Sequence, residues 1–358
     1  MPEKVFPGKE WSYVNPAEAG LEPEKLEQAR RYFDYNVGGP YRAVIVRHGR
    51  VVAEWNQEYE SDVRLYIFSA IKSFLSCLLG IAVHEGKISS ADDQVTDYYP
   101  EALDVPAGTG PKPGRHVFPE NRDITLRQLI SQTSGYMKPG EKPGQVYHYQ
   151  SFGMNILGKA IARAYGLFDE PGPEVTPNLK KLYDEKFRIP LEASWGYYMK
   201  PVIPASDPKS IPAKYRTYNT VVQPGAWAEI FCYSDGIRMS ALDMARMGWL
   251  WCNWGSWNGR QLIPETWMRE AARTAPDIRA NHPEHERMYG YAFWINEFGV
   301  LWPDAPRDSF AARGATDRAH IWACPSLDLV VAESPGLAPD ERNEFLRLLV
   351  AACASEDA

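Results

Sequence analysis

The sequence has no excess of basic residues: 39 Lys and Arg stand against 46 Asp and Glu, a net charge of −7. Without a bulk positive field, neither nucleic acid nor an anionic membrane surface is an expected partner. Cysteine is scarce. Cys77, Cys232, Cys252, Cys324 and Cys353 are odd in number, and no two have C-x-x-C spacing, which argues against a zinc site or a disulfide framework. Long hydrophobic runs are missing too. The longest, Phe74 to Val83 with Ser76 inside it, is about half of the roughly 20 residues a membrane span needs. The first residues, Met1 to Phe6, contain no apolar h-region of a signal peptide, so the expectation is a cytoplasmic protein. Several catalytic patterns are absent: G-x-S-x-G, H-E-x-x-H, the P-loop and G-x-G-x-x-G. His282-Pro283-Glu284-His285 offers two imidazoles, but Pro283 disfavours a helical turn there and no third ligand is evident, so no metal and no cofactor is expected.

What is present is an ordinary globular composition, 44% apolar and 24% charged, in a chain long enough for about two domains. Aromatics are abundant, with 12 Trp and 20 Tyr, enough for a large core and an aromatic-lined cleft. Trp249, Trp251, Trp254 and Trp257 read as core. Helical spacing of apolar residues predicts helices over 24–37, from about Ser69 to Gly86, and over 124–132, 153–165, 240–252 and 341–353. Runs at 43–46 and 51–55 flank His48-Gly49-Arg50 and predict an antiparallel hairpin. Further strands are predicted at 291–296, 320–324 and 327–332. The stretches 104–121 and 199–214 are rich in Pro and Gly and read as loops. Strands thus lie at both ends of the chain. The expected architecture is an α/β (α+β) fold in which residues 1–75 and 285–358 build one antiparallel sheet domain, and 76–284 form an inserted, mainly helical domain with long loops. The functional site is then expected in the groove between them.

Ser69-Ala70-Ile71-Lys72 is an S-x-x-K pattern at the start of a strongly apolar helix. Residues i and i+3 share a helix face, so the amine can lie beside the hydroxyl. A serine needs a nearby base to become a nucleophile, and lysine supplies one when burial lowers its pKa. A second S-x-x-K, Ser206 to Lys209, contains Pro208 and sits among other prolines, which prevents a regular helix face.

Around Ser69 the chain resembles the serine β-lactamase and penicillin-binding-protein superfamily. The residues that carry the resemblance are Phe68 to Phe74, Gly80 to Ile88, Val95 to Pro100, Ile124 to Ile130 followed by Thr133-Ser134-Gly135, Ser240 to Arg246, Trp257 to Pro264 and Pro325 to Val331. The branch they are most similar to is that of the class C-like esterases and 6-aminohexanoate-oligomer hydrolases. The resemblance implies a β-lactamase-like fold and a serine hydrolase acting on a small-molecule ester or amide through an acyl-enzyme on Ser69, with Lys72 as its base. The superfamily's Tyr-x-Asn motif corresponds to Tyr149-Gln150-Ser151, which places a catalytic tyrosine at Tyr149, with Tyr147 as a competitor, and puts Ser151 where the Asn usually stands. The third motif, usually Lys-Thr-Gly, is replaced by Arg313-Gly314-Ala315. By this likeness Ser69 and Ala315 supply the backbone N–H groups of an oxyanion hole, Gly314 lets substrate approach the backbone, and Arg313 either binds a substrate carboxylate or forms an ion pair with Asp317 or a neighbour. The missing Lys-Thr-Gly speaks against efficient β-lactam turnover. The alternative is a penicillin-binding-like or regulatory protein that acylates or binds ligand without efficient turnover. Oligomeric state is not legible.

Overall fold

The computed structural model describes residues 3–110, 113–167, 179–199, 202–204, 221–223, 235–315 and 319–353. Its frame is a six-stranded antiparallel sheet: β1 (Tyr41–Arg47), β2 (Arg50–Gln57), β3 (Trp294–Ile295), β4 (Phe310–Arg313), β5 (His320–Cys324) and β6 (Leu329–Glu333), in the order β3-β4-β5-β6-β1-β2. The interior strand β1 is buried along its whole length, which is why Ala43-Val44-Ile45-Val46 is continuously apolar rather than alternating. His48 and Gly49, both at positive φ, make the two-residue turn into β2.

Side chains leave the sheet on alternate faces. Ala43, Ile45, Trp322, Leu329 and Val331 pack with Leu26, Ala29 and Phe33 of α1 (Pro23–Asn36) and with Phe345 and Leu349 of the closing helix α6 (Pro339–Ala352). Val44, Val46, Ile321, Val330 and Ala332 belong to the larger core on the other face. That core includes α2 (Ile71–His84), α3 (Leu126–Ile130), α4 (Phe152–Ala164) and α5 (Ala241–Cys252). Helix α5 opens on Ser240, whose hydroxyl accepts the Asp243 N–H, and it packs directly on β1, β5 and β6. A helix from the 76–284 segment is therefore part of the sheet's own core, and the expected boundary at 75 falls inside α2. Trp249, Trp251 and Trp257 are buried there, and half-buried Trp254 stacks against Arg269.

Several expectations are adjusted. The strand at 291–296 contracts to Trp294–Ile295 because only those residues find partners on β4. The strand expected at 327–332 begins at Leu329, since Pro325–Leu327 tighten into a 3₁₀ turn closed by Asp328 at positive φ. Arg313 and Gly314 are not on the strand that runs to Pro325. Arg313 ends the separate strand β4, and the Gly314 N–H donates to the Ala319 carbonyl at 2.6 Å, just ahead of β5. A second antiparallel sheet of Leu65–Tyr66, Asp235–Met239 and Gly196–Met199 was not foreseen. Within the expected loop at 199–214, Val202–Pro204 instead pairs in parallel with Val221–Gln223. The second S-x-x-K, Asp317 and Cys232 lie outside the described residues.

Candidate active site

Ser69 sits where the chain passes from the small sheet into α2. The Ile67 N–H donates to the Ile237 carbonyl at 3.2 Å, tying the approach to the neighbouring strand. Phe68 then takes φ 49, a left-handed conformation unfavourable for a bulky residue and retained only where the surroundings enforce it. Phe68–Ala70 form one 3₁₀ turn that runs directly into α2. Lys72, in the first turn of that helix, places its Nζ 2.7 Å from Ser69 Oγ. The lysine side chain is buried, at 7% exposure, and burial lowers its pKa to about 8.

Tyr149 joins the pair from the other wall. Its ring centroid is 5.0 Å from Lys72 Nζ, and Ser69 is one of the polar groups acting on its hydroxyl. Tyr289 and Trp294 flank the ring at 6.1 and 6.0 Å. Burial raises the Tyr149 pKa, opposed by the Ser69 hydroxyl and by the charge of Arg313. The resting group is therefore a neutral phenol, able to donate. Tyr147 is placed differently: its ring packs on Tyr289 at 5.2 Å, and its buried hydroxyl has no hydrogen-bond partner among the described residues.

The structure brings Ser69, Lys72 and Tyr149 together. Ser151 is exposed at the N-cap of α4 and makes no side-chain capping bond. Arg313 ends β4 with its guanidinium 4.7 Å from the Trp294 ring centroid. A β-carbon on Gly314 would lie 2.7 Å from the Ile67 carbonyl oxygen, so this glycine lets the end of β4 press against the segment that carries Ser69, a close approach of chain to chain. Ala315 follows, exposed. Sequence reasoning missed the groups that hold Tyr149. Gln132, at φ 63 and buried, accepts the His148 N–H on its carbonyl and the Gln150 N–H on its side-chain oxygen, both at 2.8 Å. A glutamine ahead of Thr133-Ser134-Gly135 carries no local signal of that task.

Among the described residues no three His, Cys, Asp or Glu side chains converge as a metal site, and no helix is long and apolar enough to cross a membrane. His282 lies 2.8 Å from Glu286, whereas His285 is exposed.

The beta-lactamase family profile matches residues 25–334. No curated protein sequence matches the chain. Solved structures share its fold at low identity. One is a penicillin-binding-protein homologue from Caulobacter crescentus, at 17% identity and a TM-score of 0.62, covering 93% of this chain and 99% of that one. A family VIII carboxylesterase gives 17% identity and 0.57, covering 93% and 98%. A protein assigned as a 6-aminohexanoate-dimer hydrolase from Bacillus anthracis gives 15% and 0.56, covering 98% and 88%. With the profile match extending over most of its length, from α1 to the end of β6, the chain belongs to the beta-lactamase family.

Proposed function

We propose that this beta-lactamase-family protein is a serine hydrolase that cleaves a small-molecule ester or amide through an acyl-enzyme on Ser69. The observation that carries the reading is the 2.7 Å approach of Lys72 Nζ to Ser69 Oγ, with burial holding that amine's pKa near 8. A lysine so poised is substantially neutral in mildly alkaline solution and can take the serine proton. Ser69 Oγ attacks the carbonyl carbon, and the proton passes to Lys72. The oxyanion forms against the backbone N–H groups of Ser69 and Ala315, donors of a kind that contribute about 10²–10³ in rate. As the carbonyl re-forms, the leaving alcohol or amine takes a proton from Tyr149, which is re-protonated from Lys72. Water, deprotonated by the same pair, then attacks the acyl carbon, releases the acid and restores Ser69. Arg313, whose charge reaches Tyr149, favours transient phenolate character there and suits a substrate bearing a carboxylate. Ser151 remains a hydrogen-bonding group at the edge of the site.

The test is turnover of a short-chain p-nitrophenyl ester by wild type and Ser69→Ala, with peptide mapping after a fluorophosphonate. Loss of turnover and an adduct confined to Ser69 are expected. Undiminished turnover by S69A overturns the reading. An adduct on Ser69 lasting hours without steady-state product from any ester or amide favours the acylating, non-hydrolytic alternative.

A further inference from the structure

Tyr149 lies in a stretch, 146–150, that is neither helix nor strand, so no ladder of backbone bonds fixes its position. The N–H groups around it are captured one by one. His148 and Gln150 are held by Gln132. Tyr147 donates its N–H to Nε2 of His282 at 3.1 Å, a side chain 135 residues further on. Beside that bond Asn281 Nδ2 donates to the Gly144 carbonyl at 2.9 Å, and the Gly144 N–H donates to the Thr133 carbonyl at 2.7 Å.

His282 is itself fixed. It follows the short helix Pro276–Asn281, donates its backbone N–H to the Ile278 carbonyl at 2.9 Å, and accepts Arg287 Nε on its own carbonyl at 2.9 Å. Its Nδ1 lies 2.8 Å from Glu286 Oε2. Because the Tyr147 amide can only donate, Nε2 must be the accepting nitrogen, which puts the ring proton on Nδ1 facing the Glu286 carboxylate. Both ring nitrogens are thus assigned, and the imidazole is oriented by a carboxylate.

We propose that His282 is a positioning residue for Tyr149: by accepting the Tyr147 N–H it holds the irregular 146–150 stretch in the place that brings the Tyr149 hydroxyl to Ser69. The inference rests on the reading of Tyr149 as a proton carrier at Ser69. The His-Pro-Glu-His run, unconvincing as a metal motif, thereby has a function as a clamp. Loss of the clamp affects proton transfer more than ground-state binding, since displacement of a catalytic group by about 1 Å costs on the order of 10²-fold.

Four substitutions, two of them also combined, test this on the full chain with a p-nitrophenyl ester. His282→Leu removes the acceptor at similar volume, and kcat should fall by about 10- to 100-fold with KM nearly unchanged. His282→Gln can present Oε1 to the same N–H and should restore most of the loss. Tyr149→Phe should be severely impaired, and H282L introduced into Y149F should cause no further fall, since the two act on one group. Glu286→Gln, on a half-exposed side chain, weakens the tautomer lock without threatening the fold and should lower kcat by a smaller factor. Full activity of H282L beside an inactive Y149F overturns the clamp. So does an H282Q as impaired as H282L, or an unchanged E286Q where H282L fails to fold. Full activity of Y149F instead overturns the Tyr149 reading itself, a distinct result.

Discussion

Lys72 answers to two opposed requirements. As a base it must be neutral, and burial in the first turn of α2 pushes it there by lowering its pKa to about 8. On the proposed reading, kcat/KM therefore rises with pH through about 8 as the free enzyme loses this proton. The same shift affects stability. The unfolded lysine keeps its proton to about pH 10.4, so between about pH 8 and 10.4 the unfolded chain binds more protons and stability climbs with pH. Below about pH 8 the charged amine carries the whole penalty, of order 3 kcal/mol. Lys72→Met should abolish turnover yet raise Tm at pH 7, with the gain shrinking towards pH 10. Calorimetry at the two pH values checks this, and an unchanged or lower Tm at pH 7 would show that burial does not penalise the charge. The Ser69–Lys72 relation was legible because it is local, one helical turn. Tyr149 came from the resemblance. Gln132 and His282 were invisible because they act by accepting amide protons from a distant stretch, and nothing in a glutamine or histidine codon announces which backbone it will meet.

At the scale of elements, α5 shows packing overriding propensity. Gly248 sits in the middle of the helix, where alanine would ordinarily gain about 1 kcal/mol. A β-carbon there would overlap Val330 Cγ1 and crowd Ile321 Cγ2 on the sheet. Overpacking typically costs about 1–3 kcal/mol, so Gly248→Ala should come out destabilising, read as a lower denaturant midpoint at unchanged m-value; a stabilised variant would mean that α5 can move off β5 and β6 freely. The same competition decided which elements the sequence revealed. Helices α1 and α5 and the β1–β2 hairpin announced themselves by period and turn chemistry. Strand β4, Phe310–Arg313, has two alanines in four residues and little strand propensity of its own. It is a strand because β5 pairs with it along its whole length. Since β4 also packs against the Phe68–Ala70 turn, the element hardest to read is one that forms a wall of the candidate site.

Across the whole molecule the sheet is fastened to α6 by a buried polar network, and its acid sensitivity follows from it. His320 of β5 is wholly buried beside Glu333 of β6 and Arg342 of α6. Arg342 donates to His320 Nδ1 at 2.8 Å and to the Leu337 carbonyl at 2.6 Å, and Glu333 also accepts the Leu337 N–H at 2.9 Å. His320 faces Arg313 across the β4–β5 pair. Burial, then the charges of Arg342 and Arg313, hold the His320 pKa well below its ordinary value. The folded protein therefore keeps this imidazole neutral while the unfolded chain protonates it below about pH 6.5. As pH falls through that value the unfolded state binds the extra proton, and stability declines by up to about 1.4 kcal/mol per pH unit from this one group. Glu333 does not reverse the sign, because Arg342 already occupies its charge. Denaturant unfolding of wild type and His320→Gln at pH 7, 6 and 5 checks the argument. The variant, which retains an acceptor for Arg342 but cannot titrate, should start less stable and close the gap as pH drops. Parallel losses in the two proteins would mean that His320 is protonated in the folded sheet, and that acid unfolding of this molecule begins with its carboxylates instead.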